Sequence, residues 1–533
     1  MATKNLLACA TTGATKYIQK AVNPKNKLDY QKLKKLFDEH QFVTNNFDDT
    51  ELNLITFDWQ SLERDRNWWW QLQALPFLNW YVNSLELQTE EERTRYLSLC
   101  LDAIHGWIKN AKQNKESPLV WHDHASAFRA RNITNWLLFC DTAGLWLKEE
   151  SRIDPFANLI IEHLDWLQED KHYSKHTNHG FDQAMIALTI SLMFARDDFE
   201  LYRQCNRARL KDEVTFAFTD EGVHKENSPG YQKMMLGRLK QLRTLSPLGE
   251  QEISQMGELY IEKAEDFLKA ITLPNGLLPS IGDTKENDTG LLPENNTLEK
   301  LRIYDYSKSG YVIFRGIDGC GKEFFVLLKN CHFSNYHRHD DDLMLYVYYD
   351  GKIVFGDGGL LSHNEKDPQR VFLRSPFAHS VLYIDRKVVR NEAHLVKKPT
   401  TCVDAQGSVL MTSFMFGEEL RRLVDITCKE SLEIRISDFR PENQKDDLFL
   451  NFFFCEQNDI KVGEKYITSC FSDFDCQVES SSSGSVKLLQ GWSGIRQAEN
   501  AIFSTGYGLH QDASRVVFGV RSGAETVIKM INK

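Results

Sequence analysis

The chain has 533 residues, 42% hydrophobic and 26% charged, with a formal net charge of −11. That balance is ordinary for a globular protein and argues against a general nucleic-acid binder, because phosphate contacts need clustered Lys and Arg. No stretch approaches the roughly 20 apolar residues of a membrane span, and a polyanionic ligand would need a locally basic cleft.

In chain order, the apolar run Leu6 to Ala10 is shorter than a signal-peptide core. From about residue 28 to 270 the periodicity is helical. Leu97, Leu101, Ile104 and Ile108 form one stripe, Ile133, Leu137, Cys140, Gly144 and Leu147 a second, and Met185, Leu188, Leu192 and Ala195 a third. Amphipathic helices with no strand between them imply helix-on-helix packing. The tryptophans concentrated here, from Trp59 to Trp166, are expected mostly in the core, with a minority free to line a sugar-stacking groove.

Past Ile271 the texture changes. Leu273 to Gly276 and Pro279 to Asp283 are turn-rich, and Asn287 to Asn296 reads as a linker or long loop. Beyond it come extended segments: Tyr311 to Phe314, Phe324 to Leu328, Leu432 to Ile436, Leu448 to Phe454 and Val516 to Val520. A serine run at 480–484 reads as a loop. The expected organisation is a helical domain over 1–300 and an antiparallel β-sandwich over 301–533.

Within the β half, Leu343, Leu345, Val347 and Tyr349 alternate, Asp350-Gly351 is a type I′ turn signal, and Lys352 to Phe355 returns. Two histidines and three acids, His337-Arg338-His339-Asp340-Asp341-Asp342, crowd the entrance of this hairpin. His339, Asp357 and His379 supply the imidazole and carboxylate types of a zinc or similar divalent site. Simple pairing across the turn leaves Asp357 about 17 Å along the strand from His339 at ~3.3 Å per residue, so His339 must ride on a loop folded back over the sheet. The alternative is that His337 and His339 are surface histidines beside a solvated acidic run, since H-x-H alone is a weak motif.

Three polar clusters break the helical half: Trp121 to Asn132, containing His122-Asp123-His124 and Arg129; Thr177-Asn178-His179-Gly180; and Glu226-Asn227-Ser228-Pro229-Gly230-Tyr231. All lie at loop-to-helix junctions, where functional side chains are often displayed. Capping is the plain alternative, with Asn178 as an N-cap and Ser228-Pro229 as an N-cap followed by proline at the first helical position.

Taken with His337-Arg338-His339, Gly356-Asp357 and Ala378-His379-Ser380, these motifs resemble the heparinase II/III family of polysaccharide lyases, in order and spacing, from about Trp59 to the C-terminal strands. The resemblance implies an incomplete α/α toroid joined to an antiparallel β-sandwich, an active site in the cleft between them, and a metal site at His339, Asp357 and His379 with a structural role. Ser380 stands where the family commonly has Asn, and the run Asp340 to Asp342 is heavier than the family suggests.

The residue chemistry is coherent beside the name. β-Elimination of a uronic-acid polymer must neutralise the C5 carboxylate, remove the α-proton and protonate the departing O4. Asn178 can hydrogen-bond the carboxylate, His179 or Tyr231 can act as base, Tyr231 can protonate the leaving oxygen, and His337 would reach in from the sandwich. A nearby cation, protonated His337 or Arg129, would stabilise a Tyr231 phenolate. Asp182, three residues after His179, is placed to orient it. His124, Arg129, Asp182 and Glu226 are the expected substrate-binding residues.

The leading expectation is therefore a lyase acting on an acidic polysaccharide or oligosaccharide, with a divalent metal, zinc by its ligand set, and no nucleic-acid or membrane partner. A glycoside hydrolase would need two carboxylates facing the scissile bond, for which Glu226 and Asp182 are the candidates. A non-catalytic carbohydrate-binding protein of polysaccharide biosynthesis is the third possibility. Eleven cysteines, odd in number and without a CxxC pair, favour a reducing compartment. The expected location is the cytoplasm, with the periplasm or secretion as alternative.

Overall fold

The computed structural model describes residues 2–45, 47–60, 64–114, 116–148, 151–292, 300–334, 336–384, 397–441, 447–456, 458–481, 484–494 and 496–533. Parts of the Asn287 to Asn296 stretch and of the serine run, and the side chain of Leu147, lie outside the described residues. The chain divides into two compact units, Met1–Ala217 with Leu239–Leu259, and Phe218–Arg238 with Tyr260–Lys533. The division runs through the helices Pro229–Gln241 and Gln251–Ile271, whereas the change of texture near residue 300 marks only where strands begin.

The first unit is helical apart from a two-residue ladder, Gln41–Phe42 against Thr50–Glu51. The helix Glu90–Trp107 opens with a capping box in which Thr89 and Glu92 satisfy each other's backbone N–H, with three glutamates in its first turn. It buries Leu97, Leu101 and Ile104, and Ile108 falls one residue past its end. The helix Asp123–Thr142 turns Ile133, Leu137 and Cys140 inward and stops before Gly144, which takes the left-handed conformation common after a helix end. Ala195 lies beyond the helix Asn178–Met193 and is exposed, so the third stripe is one turn shorter than its spacing predicts. Trp59, Trp68, Trp107 and Trp136 are fully enclosed. Each such ring removes roughly 150–250 Å² from water, worth about 4–6 kcal/mol at ~25 cal/mol per Å².

The second unit carries the sheets. Five strands, Arg302–Tyr306, Tyr311–Ile317, Glu323–Lys329, Met344–Tyr349 and Lys352–Phe355, pair in sequence order. An eight-stranded sheet runs Asp459–Val462, Tyr466–Cys470, Phe474–Ser480, Ala524–Asn532, Glu433–Phe439, Leu420–Thr427, Val409–Ser413, Thr400–Val403. A four-stranded sheet orders Ser485–Gln490, Ser514–Val520, Leu448–Phe454, Leu382–Ile384. Neighbouring strands are antiparallel throughout these sheets, and one apolar core draws side chains from all three. An N-terminal helical region of the α/α toroid class followed by an antiparallel β-sandwich is thus the fold class.

Asp350 and Gly351 have φ of 45° and 82°, the two left-handed residues a type I′ turn requires. Met344–Tyr349 is buried on both faces, Tyr346 and Tyr348 included, so it is an interior strand and not the half-exposed one its alternation suggests. All eleven cysteines are free thiols, and no helix among the described residues is long and apolar enough to cross a membrane.

Candidate active site

In the helical unit the site is built at two helix starts. Thr177 caps the helix Asn178–Met193 by accepting from Gly180 N at 3.2 Å, so the capping role falls to Thr177 and not to Asn178. Gly180 packs so closely that a Cβ would lie 2.4 Å from the Ser174 carbonyl oxygen and 2.5 Å from Glu213 Oε1. Only glycine allows that approach, which sets His179 on the first turn.

His179 Nδ1 lies 3.0 Å from Asp123 Oδ2, and His122 Nδ1 lies 2.9 Å from Asp123 Oδ1. Ser174 Oγ also donates to Asp123. Burial raises this carboxyl, but the hydrogen bonds from His122 and His179 outweigh it and hold Asp123 well below the usual carboxylate range. A carboxylate facing Nδ1 keeps the proton there and leaves the lone pair on Nε2 of His179.

His124 stacks on His179 with ring centroids 4.1 Å apart and planes 13° inclined, and its Nε2 meets Asp182 Oδ2 at 2.7 Å. Asp182 therefore orients His124, not His179 as the helical spacing suggests. The residue that holds His179 is Asp123, which sequence reasoning passed over although it stands between two histidines. His122, Asp123 and His179 could together hold an ion, and Arg66 Nη2 sits 3.0 Å from His122 Nε2, the ring nitrogen turned away from Asp123.

Arg129 is not the cleft cation that its place near a helix start suggests. It is fully enclosed, and its guanidinium donates to Gln73 O at 2.8 Å, Val120 O at 2.7 Å, Ser126 Oγ at 3.2 Å and His163 Nε2 at 2.8 Å while lying over the Trp107 ring. It is an internal strut and offers no charge to a ligand or to a phenolate.

In the second unit, the Glu226 to Tyr231 segment is tied down by its neighbours. Asn227, at φ 63°, donates from Nδ2 to Ser334 O and Tyr336 O. Pro229 opens the helix Pro229–Gln241 as its position predicts, and Ser228 precedes it with its carbonyl accepting from Gln232 N at 2.9 Å; the Ser228 hydroxyl meets Thr284 Oγ1 at 2.9 Å, and Thr284 accepts from Gly230 N at 3.0 Å. His337, at φ 53°, is held in the left-handed region that costs a non-glycine residue energy.

The outcome is a stack: the Tyr231 ring lies on the His337 imidazole, centroids 3.6 Å apart and planes 22° inclined. His337 Nδ1 faces Asp283 Oδ2 at 2.9 Å and Nε2 faces Glu226 Oε2 at 3.4 Å. Glu226 is 3% exposed, so it serves the histidine and is not an open substrate contact. Asp283 also meets His339 Nε2 at 2.9 Å and accepts from both terminal nitrogens of Arg370, at 2.5 and 2.8 Å. Burial raises Asp283, and His337, His339 and Arg370 more than reverse it, holding the carboxyl well below its ordinary range. Neither Asp283 nor Arg370 was legible as a site residue: Asp283 ends a Ser-Ile-Gly-Asp turn motif that a loop already explains.

Burial, then the charges of Asp283 and Glu226, push the Tyr231 phenol well above its ordinary value. This overturns the phenolate expectation. The group is an O–H donor at neutral pH.

The structure brings His339, Asp357 and His379 together: each offers a ligand atom, and these lie within 4.8 Å of one another. His379 Nδ1 is 2.7 Å from Asp357 Oδ2, and the two imidazole centroids are 5.3 Å apart. The loop between the strands Glu323–Lys329 and Met344–Tyr349 carries His339 back over the sheet, and His339 is 1% exposed, which removes the surface-loop alternative for it. The acidic run is not solvated either. Asp341 pairs with the enclosed Lys329, Asp340 accepts from Arg338, and Asp342 from Ser413. His339 Nδ1 and His379 Nε2 are buried without a hydrogen-bond partner among the described residues. Two orphaned imidazole nitrogens beside a carboxylate form a donor set that fits a divalent cation.

A mainly helical unit of the α/α toroid class, a β-sandwich unit, and histidine, tyrosine and carboxylate groups at three helix starts define a polysaccharide lyase class of protein. The family profile for the Heparinase II/III N-terminus matches residues 4–309, more than half of the chain, and this protein belongs to the heparinase II/III family of polysaccharide lyases. A comparison with curated proteins finds no match. Among solved structures, heparinase III superposes with a TM-score of 0.73 at 15% identity, covering 95% of this chain and 85% of that one. Heparan sulfate lyase HepC from Pedobacter heparinus superposes with a TM-score of 0.65 at 16% identity, covering 100% and 88%. At these identities the solved structures speak for the fold.

Proposed function

We propose that this protein is a lyase that cleaves a uronic-acid-containing polysaccharide by β-elimination. The observation that carries the reading is the Tyr231–His337 stack held by Asp283 and Glu226, which keeps a protonated phenol beside a fixed imidazole. In this reading Tyr231 gives its proton to the departing O4, and His337 sets the position of the phenol. Asn178 hydrogen-bonds the C5 carboxylate, and His179, its Nδ1 turned to Asp123, offers Nε2 as the base that takes the α-proton.

His339, Asp357 and His379 would hold a divalent ion, and two imidazoles with one carboxylate suit zinc. Such an ion would supply structural bracing, fixing the loop that also carries His337. A hydrolase is disfavoured because its two candidate carboxylates are committed to histidines, Asp182 to His124 and Glu226 to His337. Free thiols favour work in a reducing compartment, which thiol titration of the denatured, unreduced protein tests.

One solved relative is a heparan sulfate lyase by name, so a glycosaminoglycan-like polymer heads the panel. Incubating the protein with uronate polymers should generate the ultraviolet absorbance of a new C4–C5 double bond. Saccharide products without that chromophore would replace elimination by hydrolysis, and binding without cleavage would make the protein a carbohydrate binder.

A further inference from the structure

Two cavities in the helical unit, of about 220 and 350 Å³, share Asn79 and Arg131 as lining residues. The smaller is walled by the rings of Trp70, Trp80 and Phe128, with Lys32 among its cations. The larger adds amide groups from Asn83, Asn135 and Gln241 over an apolar floor that includes Met185. A few polar groups set in aromatic and aliphatic walls is the usual build of a small-molecule site.

The charge of these walls is unusual for this chain. The protein carries a net charge of −11, yet no carboxylate lines either cavity among the described residues, while Arg131 lines both and Lys32 the smaller. Two other cavities of the same unit are walled mainly by acids, Glu51 with Asp58 in one and Asp48, Asp49, Glu51 and Asp65, beside a single Arg64, in the other. A positive pocket in an acidic protein concentrates anions.

The cations are also pre-positioned. The Arg131 guanidinium lies over the Phe128 ring at 4.3 Å and Lys32 Nζ over the Trp80 ring at 5.7 Å. Asn132 Oδ1 accepts from Arg131 Nε at 3.4 Å and from Asn79 Nδ2 at 2.7 Å, which couples the two shared residues. Trp70 stacks on His124 at 5.3 Å, so the smaller cavity starts beside the histidine cluster. Arg131 stands roughly 10 Å further along the same helix.

We infer that these cavities form a binding subsite for an anionic sugar ring, a uronate or a sulfated pyranose, seated on the aromatic faces with its charge at Arg131. This deepens the lyase reading and rests on it for the identity of the polymer. The subsite is separate from the proton-transferring groups, so it should contribute to affinity and choice of polymer and not to the chemical step.

The test titrates the intact protein calorimetrically with three probes: an unsulfated glucuronate disaccharide, a sulfated disaccharide and a neutral disaccharide. The wild type should bind at least one anionic probe at least tenfold more tightly than the neutral one, and which anion wins identifies carboxylate or sulfate. Arg131→Gln should weaken that binding at least tenfold with unchanged thermal unfolding, and Lys32→Gln should weaken it to a lesser degree and flatten its salt dependence. On a cleaved polymer, Arg131→Gln should raise KM and leave kcat. Equal binding of neutral and anionic probes, no binding of any probe, or unchanged affinity in both variants overturns the subsite. Absence of unsaturated products from every uronate polymer overturns the lyase reading instead, and the calorimetric result stands apart from it.

Discussion

The ring of Tyr231 lies face to face with the imidazole of His337 at 3.6 Å, and the carboxylates of Asp283 and Glu226 face the two nitrogens of that imidazole. A tyrosine in this setting is an acid, because burial and the two neighbouring negative charges penalise the phenolate.

Tyr231→Phe removes only the hydroxyl. Turnover on a cleaved polymer should fall at least about a hundredfold, within the 10²–10⁴-fold range of a positioned proton donor, while thermal unfolding and polymer binding stay near wild type. Near-full activity would move the acid to another residue.

Asp123→Asn keeps the size of the group but removes the charge that selects the Nδ1–H tautomer of His179. We expect turnover to drop at least about tenfold, with Asp123→Glu recovering part of the loss. A variant that loses stability but keeps wild-type turnover would make Asp123 a purely structural residue.

Metal content follows from His339, Asp357 and His379. Elemental analysis of protein purified without chelator should find close to one equivalent of divalent metal. His379→Ala should lose it and unfold at lower temperature, acting through stability more than through kcat. Metal-free protein of unchanged melting temperature would rule the site out.

Arg129→Met strips donors from two carbonyl oxygens, a hydroxyl and an imidazole nitrogen inside the helical unit. Removing one member of such a buried polar cluster costs about 3–5 kcal/mol, measurable by denaturant unfolding. If the variant instead kept its stability and weakened polymer binding, Arg129 would be a surface contact after all.

Acid stability should carry a histidine signature. Burial, with smaller contributions from His337 and Arg238, draws His224 down from 6.5 to about 3. Its folded-state pKa is lowered, so the unfolded chain binds the extra proton. The contribution is complete above pH 6.5 and is lost as pH falls from 6.5 toward about 3, at about 1.4 kcal/mol per unit. Unfolding free energies between pH 4.5 and 7 should rise with pH, and His224→Gln should reduce that slope by close to one proton below pH 6. An unchanged slope would mean His224 is protonated in the folded state.

Local pattern was enough for the elements and for most of the chemistry-bearing positions. Period 3.6 in Leu97, Leu101 and Ile104, a capping box at Thr89 and Glu92, and Asp350-Gly351 between extended runs are short-range signals, and each produced its element. His339, Asp357 and His379 could be grouped because their residue types already restrict the chemistry they can do. Chain order with those motifs also led to the family.

Partnership was decided by tertiary structure alone. Helical spacing points Asp182 at His179, but the first turns of two helices meet so that Asp123 takes His179 and Asp182 takes His124. Arg129 reads as a cleft cation until packing encloses it, and Asp283 reads as a turn residue until two histidines and Arg370 converge on it. The protonation preference of Tyr231 has the same origin. Desolvation, the charge of Asp283 brought from more than fifty residues away and that of nearby Glu226 raise the phenol above its intrinsic pKa, and the burial and the Asp283 contact do not exist until the chain has folded.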